Sequence, residues 1–189
     1  MALPREYAAE SCPIARSLEI VGERWTLLVV RDAFYGVRRF SDFRAHLGIP
    51  KAVLSERLSL LIDEGVLAKT AGGRGRDDYV LTPKGRRLWP IIWSLAGWGN
   101  ENYVEQPQRR SYRHADCGGA IGPDRVCASC GQLPDVADLV LHPPRRPRER
   151  ALRDDPVSKA LRRPRRCAPA AGQGVAHIRR GPTISSICS

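Results

Sequence analysis

Four side chains within a short stretch of this sequence are spaced to hold a metal ion. His114-x2-Cys117 and Cys127-x2-Cys130 are separated by nine residues, and Gly118 and Gly131 directly follow the second member of each pair. A Cys-x2-Cys turn brings both sulfurs to one ion, and a glycine after it relieves the tight bend. Three thiolates and an imidazole make a closed tetrahedral set, the pattern of a structural Zn²⁺ site rather than a catalytic one with an open position. The surrounding residues are poor in apolar side chains, so bound zinc would contribute much of the segment's folding free energy. Two other readings stay open: a thiol–disulfide switch at Cys127/Cys130, and unrelated free thiols.

Two further features carry chemistry. Cys12 precedes Pro13 at the start of an amphipathic helix, where the helix N-terminus favours the reactive thiolate and Glu10 opposes it. Redox sensing by Cys12 competes with a plain packing role. Arg74 and Arg76 lie in the loop Gly72-Gly73-Arg74-Gly75-Arg76-Asp77, where glycines let the backbone approach a ligand. Arginines on such a loop can enter a narrow minor groove or clamp phosphates. No Ser-His-Asp set, phosphate loop or paired carboxylates are recognisable, so an enzyme is not expected.

The elements that must position these residues follow from periodicity. Ile14, Leu18 and Val21 mark a helix ending near Gly22, and Glu23 to Tyr35 reads as a central helix apolar on most sides. Ser41 is expected to cap a short helix carrying Phe43 and Leu47. After the turn at Gly48-Ile49-Pro50, a helix from about Lys51 to Glu64 places Leu54, Leu58 and Leu61 on one face. Its opposite face presents Lys51, Ala52, Ser55, Glu56 and Ser59, small or polar groups suited to base edges. Val66–Thr70 and Asp78–Leu81 form a hairpin around the basic loop. Thr82-Pro83 starts a last helix to about Tyr103, which Pro90 should kink or split. Leu88, Ile91, Ile92 and Leu95 form one apolar face of it and Trp89, Trp93 and Ala96 another, so one face suits the core and the other a symmetry mate. The expected fold is mainly α with a small β-hairpin wing: a winged helix-turn-helix, then a zinc-knuckle-like segment, then a disordered basic tail.

Charge agrees with that division. The net charge of +11 is concentrated near the C-terminus: the last 47 residues hold 12 Lys and Arg against 3 Asp and Glu, the preceding 142 hold 19 against 17. The folded part is therefore not basic enough for charge alone to argue nucleic-acid binding. Pro- and Arg-rich composition with no sustained period predicts disorder from Pro143 onward, with Cys167 and Cys188 given no role. No segment has a membrane span or secretory signal, so a cytoplasmic place is expected. The resulting division is an arm over 1–11, a winged helix-turn-helix over 12–104, a Cys/His segment over 105–142 and the tail over 143–189.

Cys12-Pro13-Ile14, GERWTLLVVRD (Gly22 to Asp32), GVRRFSDF (Gly36 to Phe43), LGI (Leu47 to Ile49), VLSERL (Val53 to Leu58) and YVLTPKG (Tyr79 to Gly85) together resemble the HxlR-type winged-helix regulators, in order and at family spacing from about Cys12 to Trp98. Pro50 departs from the small or hydroxyl N-cap of many relatives. The resemblance implies a homodimer on an inverted-repeat operator in double-stranded DNA, responding to a small electrophile, oxidant or metabolite. It implies DNA contacts at Arg39, Lys51, Ser55, Arg57, Arg74 and Arg76, with Arg57 equally able to form a structural ion pair. It also makes Cys12 the matching sensor cysteine. A zinc-ribbon interaction module that uses its winged helix for protein docking is the alternative, and it leaves the basic loop tip unexplained.

Overall fold

The computed structural model describes residues 11–73, 75–105, 110–144 and 154–168. Helix α1 (Pro13–Val21) begins on Pro13, whose missing N–H costs nothing there, and ends at Gly22. Of its apolar stripe, Val21 is buried, while Ile14 and Leu18 are 71% and 54% exposed. Helix α2 (Thr26–Phe34) is the core element, with Val29, Val30 and Phe34 fully buried. It starts later than periodicity suggests because Glu23 closes a preceding turn: its carboxylate accepts the Trp25 N–H and its carbonyl the Thr26 N–H.

Helix α3 (Phe40–Leu47) starts one residue ahead of the expected Ser41 cap. The chain arrives extended, with Arg39 at the N-cap and Tyr79 donating its N–H to the Arg38 carbonyl, so Ser41 already lies in the first turn and its hydroxyl points to Asp42. Gly48, at φ +67°, ends the helix. Helix α4 (Lys51–Asp63) follows Pro50, which occupies the N-cap without a side-chain hydrogen bond. Leu54, Leu58 and Leu61 are buried on its core face, as their spacing predicts.

Strands β1 (Leu67–Ala71) and β2 (Asp77–Leu81) pair antiparallel from Leu67 with Leu81 to Ala71 with Asp77. Thr82 then fixes the hairpin's base. Its hydroxyl donates to the Gly65 carbonyl (2.7 Å) and accepts the Gly85 N–H (3.0 Å), capping the short helix α5 (Pro83–Arg86). The expected long helix is split: α6 (Trp89–Asn102) restarts with Pro90 in its first turn, the place in a helix where proline is tolerated.

A second sheet, in the order β3-β4-β5, consists of β3 (Ser111–His114), β4 (Leu139–His142) and β5 (Arg165–Arg166), all antiparallel. A single 3₁₀ turn (Val136–Asp138) leads into β4. This sheet supplies the partner within the chain for one of the two apolar faces of α6. Trp89 and Trp93 both pack on Tyr112 of β3, at 5.3 and 4.9 Å between ring centres. Only Ala96 of that set is exposed, and Ile91, Leu95 and Trp98 remain 47%, 47% and 53% exposed.

The tail assigned to disorder is folded over residues 154–168. Asp155 caps helix α7 (Pro156–Ala160) by accepting the Ser158 N–H at 2.9 Å, and α7 lies against α3. Val157, Leu161 and Cys167 are buried, and the Ala168 N–H reaches the Phe34 carbonyl at 2.8 Å. Composition hid this because arginines flank a few well-placed apolar residues, and even Arg165 is buried. The remainder of the predicted tail, Cys188 included, lies outside the described residues. Replacing Leu161, 3% exposed, by alanine should destabilise the chain by about 2–4 kcal/mol, the usual cost of a truncated core leucine. Thermal unfolding of the full chain checks this, since an unchanged midpoint would mean that the segment is solvated.

Candidate functional site

The metal-ligand quartet is assembled by the second sheet. His114 ends β3, Cys117 lies on the turn after it, and Cys127 and Cys130 lie on the turn that precedes β4. The two turns repeat one geometry. Gly118 donates its N–H to the His114 carbonyl and Gly131 to the Cys127 carbonyl, each at 2.9 Å, and both glycines sit at φ +69°. That left-handed conformation is where a side chain is disfavoured. The chain between them closes the loop: Ala128 donates to the Ala120 carbonyl, and Arg113 and Ile121 form bridges to Ala120 and Cys127.

The donor atoms converge on one point. His114 Nδ1 lies 3.3 Å from Cys130 Sγ and 3.4 Å from Cys117 Sγ, and the Cys117 and Cys127 sulfurs are 3.4 Å apart. All four lie within 4.8 Å of one another. Tetrahedral coordination with metal–sulfur bonds of about 2.3 Å and metal–nitrogen bonds of about 2.0–2.1 Å requires edges of roughly 3.5–3.8 Å, so the set fits one ion. Opposite the cluster, His114 Nε2 faces the Asp116 carboxylate at 3.7 Å, an outer partner that helps orient the ring.

Electrostatics favour a cation. The Cys130 backbone N–H, then that of Ser129, and the Cys117 and Cys130 thiols hold Cys127 down to about 6 against the cost of burial. At Cys117 the Gly119 N–H works downward, but Cys127, Cys130 and burial push the thiol above its ordinary value. The backbone N–H groups that converge on Cys127 favour its thiolate, the form in which cysteine binds a metal.

One residue essential to this geometry escapes a reading of ligand spacing. A Cβ at Gly119 would lie 2.4 Å from Cys127 Sγ and 2.6 Å from Ser129 Oγ. The signal is present in the doubled glycine Gly118-Gly119, of which only the first answers to turn geometry. Gly119→Ala should therefore lower the metal retained per chain by at least about half while all four ligands remain; elemental analysis after identical purification decides it, and full retention would show that the turn accommodates the methyl.

The residues expected to face DNA are spread over three elements. Lys51, Ala52, Ser55, Glu56 and Ser59 are all exposed on the face of α4 away from its leucines. Arg57 is half-buried and pairs with Glu56. Arg39 is half-buried at the α3 N-cap, Arg76 is exposed beside β2, and Arg74 lies outside the described residues. Cys12 is exposed at the N-cap of α1. Cys167, by contrast, is a core residue whose thiol burial pushes up to about 12, against the pull of Arg165. Among the described residues no helix is long and apolar enough to cross a membrane.

Comparison with known proteins accords with this architecture. The HxlR-like helix-turn-helix family model matches residues 20–108. An HTH-type transcriptional regulator of Mycobacterium tuberculosis is 40% identical over 134 residues, 69% of this chain and 83% of the relative. The HTH-type regulator YvaP of Bacillus subtilis is 36% identical over 97 residues, 49% of this chain and 90% of its own. Among solved structures, PA1607, crystallised as a candidate transcription factor, superposes with a TM-score of 0.55 at 35% identity, covering 65% of this chain and 88% of that one. With the hairpin, the leucine-backed helix α4 and these relatives together, the chain belongs to the HxlR-like helix-turn-helix family of transcription regulators.

Proposed function

We propose that this regulator is a homodimer that reads an inverted-repeat DNA operator, with α4 in the major groove and the hairpin tip in the adjacent minor groove. The observation that carries the reading is the division of α4. Three leucines bury one side of it, while Lys51, Ala52, Ser55, Glu56 and Ser59, none with a bulky apolar side chain, stand exposed on the other. Serine donates or accepts at base edges, glutamate accepts from cytosine N4, and Lys51 at the first turn faces phosphate. Arg39 and Arg57 flank this face. Arg74 and Arg76 suit the negative potential of a narrow minor groove.

Dimer formation is supported by the apolar groups left exposed on α1 and α6: Ile14, Leu18, Ile91, Leu95 and Trp98. Scattered exposed apolar residues are ordinary, but two helices that each leave several large apolar side chains exposed mark an interaction surface. Cys12 sits at the start of one of them, exposed, which suits it to sense an oxidant or electrophile at the dimer boundary. With operator DNA as its ligand, the place of action is the cytoplasm. The Cys3His set is proposed to hold a structural Zn²⁺: its donors are soft, its four positions are filled by protein, and no opening is left for a substrate. A role in catalysis has no support in this arrangement.

The test is fluorescence anisotropy of the full chain on the duplex upstream of its own gene and on a scrambled duplex, at two salt concentrations. Preferential binding that survives the higher salt is expected, with Arg76→Ala weakening it by about tenfold, or about 1.4 kcal/mol. Equal binding to both duplexes, lost with salt, would leave only phosphate attraction and refute sequence reading. Oxidant-induced release that persists in Cys12→Ser would remove Cys12 as the sensor.

A further inference from the structure

A cavity of about 700 Å³ lies where the base of the hairpin, the start of α6 and the loops on either side of the Cys127/Cys130 turn meet. No part of the proposed DNA-reading face or metal site contributes to it. Its volume falls in the range of small-molecule sites, about 300–1,000 Å³. Leu133, 58% exposed, and Pro83, Pro90 and Pro134 supply its apolar lining, Trp89 reaches it with the 5% of its surface left exposed, and Arg86, Arg87 and Arg125 complete the wall.

The charge balance of this cavity is one-sided. Arg86 pairs with Asp135 at 3.9 Å, and Asp135 is its sole acidic lining residue. Neither Arg87 nor Arg125 forms an ion pair among the described residues. Arg125 is also held at φ +70°, where its N–H closes a turn onto the Gly122 carbonyl at 2.9 Å. Glycine or asparagine would occupy that position without strain, so turn geometry does not explain an arginine there. A guanidinium in the cavity lining suits a carboxylate, because its planar fork matches that group with two parallel hydrogen bonds.

We infer that this cavity is a binding site for a planar, apolar carboxylate, its ring against Leu133 and the lining prolines and its carboxylate met by Arg87 and Arg125. The site bridges the winged helix and the metal-ligand loop, and its existence does not depend on whether the chain reads DNA. Three features must coincide for such a ligand: an apolar wall, lining guanidinium groups with no ion pair among the described residues, and a volume that admits one ring system. All three are present at this one place.

Calorimetric titration of the full chain without DNA tests the proposal, using 1-naphthoate as the probe and 1-naphthylmethanol as its uncharged counterpart. Saturable binding of 1-naphthoate near one per chain, with a Kd below about 1 mM, is expected for a ligand of this size. The alcohol should bind at least about tenfold more weakly. The Arg87→Ala/Arg125→Gly variant should lose at least about tenfold in 1-naphthoate affinity; since glycine accepts the left-handed turn, its unfolding temperature should match or exceed the parent's. Unchanged affinity in that variant, equal affinity for acid and alcohol, or no saturation by about 5 mM would each overturn the proposal.

Discussion

Trp89 stands where three packing surfaces meet. Its indole contacts Phe34 of α2 at 5.1 Å, Trp93 one turn along α6 at 5.6 Å and Tyr112 of β3 at 5.3 Å, all in edge-on geometry. Such pairs stabilise by about 0.5–1.5 kcal/mol each beyond the area they bury. Trp93 adds a directional link, since its Nε1–H donates to the Pro123 carbonyl at 2.9 Å. Pro123 belongs to the turn leading to Cys127, so the metal-ligand loop is tied to α6 by both packing and a hydrogen bond. This joint is the contact that holds the turns bearing the four metal ligands against α6.

The same joint accounts for the folded part of the tail. Tyr112 and β4 form a surface that needs a cover on its far edge, and β5 supplies it by pairing Arg165 with Leu141 and Arg166 with Val140. Arg110 strengthens the seam, stacking over Tyr35 at 5.4 Å and donating to the Leu161 carbonyl at 3.4 Å. The basic charge of this stretch is therefore partly structural. Lys159 pairs with Asp154, and Arg166 approaches Asp138. Arg165 is buried with Nε and Nη1 lacking a hydrogen-bond partner; burial, together with nearby Arg38, lowers its pKa, while Cys167 acts in the opposite direction. A net charge of +11 thus overstates the cation density free to meet a polyanion.

What could be read from the chain follows the range of each interaction. The burial of Leu54, Leu58 and Leu61 follows from residues a few positions apart, and the hairpin around Gly72–Asp77 and the convergence of His114, Cys117, Cys127 and Cys130 follow from turn residues and ligand types that announce themselves, so periodicity or ligand spacing carries them. The α6 face was legible only in part: Trp89 and Trp93 announced a second packing surface, but a partner more than fifteen residues away, Tyr112, leaves no periodic trace. Residues 154–168 were illegible for the same reason. Val157, Leu161 and Cys167 are buried by contact with α3, β4 and the end of α2, and composition alone counts the arginines between them. The start of α3 was missed through a local contest, in which the extended connector pairing Arg38 with Tyr79 outweighed the capping preference of Ser41.

The base of the hairpin shows how closely the DNA-reading elements are bound to the rest. Thr82 holds the Gly65 carbonyl with its hydroxyl, and Gly85 packs so tightly that a Cβ there would lie 2.2 Å from the Val66 carbonyl oxygen. Lys84 Nζ adds a bond to the Glu64 carbonyl, so the end of α4, the hairpin and α5 form one continuous rigid corner. Helix α5 then passes directly into the aromatic joint through Trp89. Only the turn Arg87-Leu88 separates this corner from Trp89, so the hairpin and the second sheet meet at close-packed side chains, and close packing of that kind transmits strain.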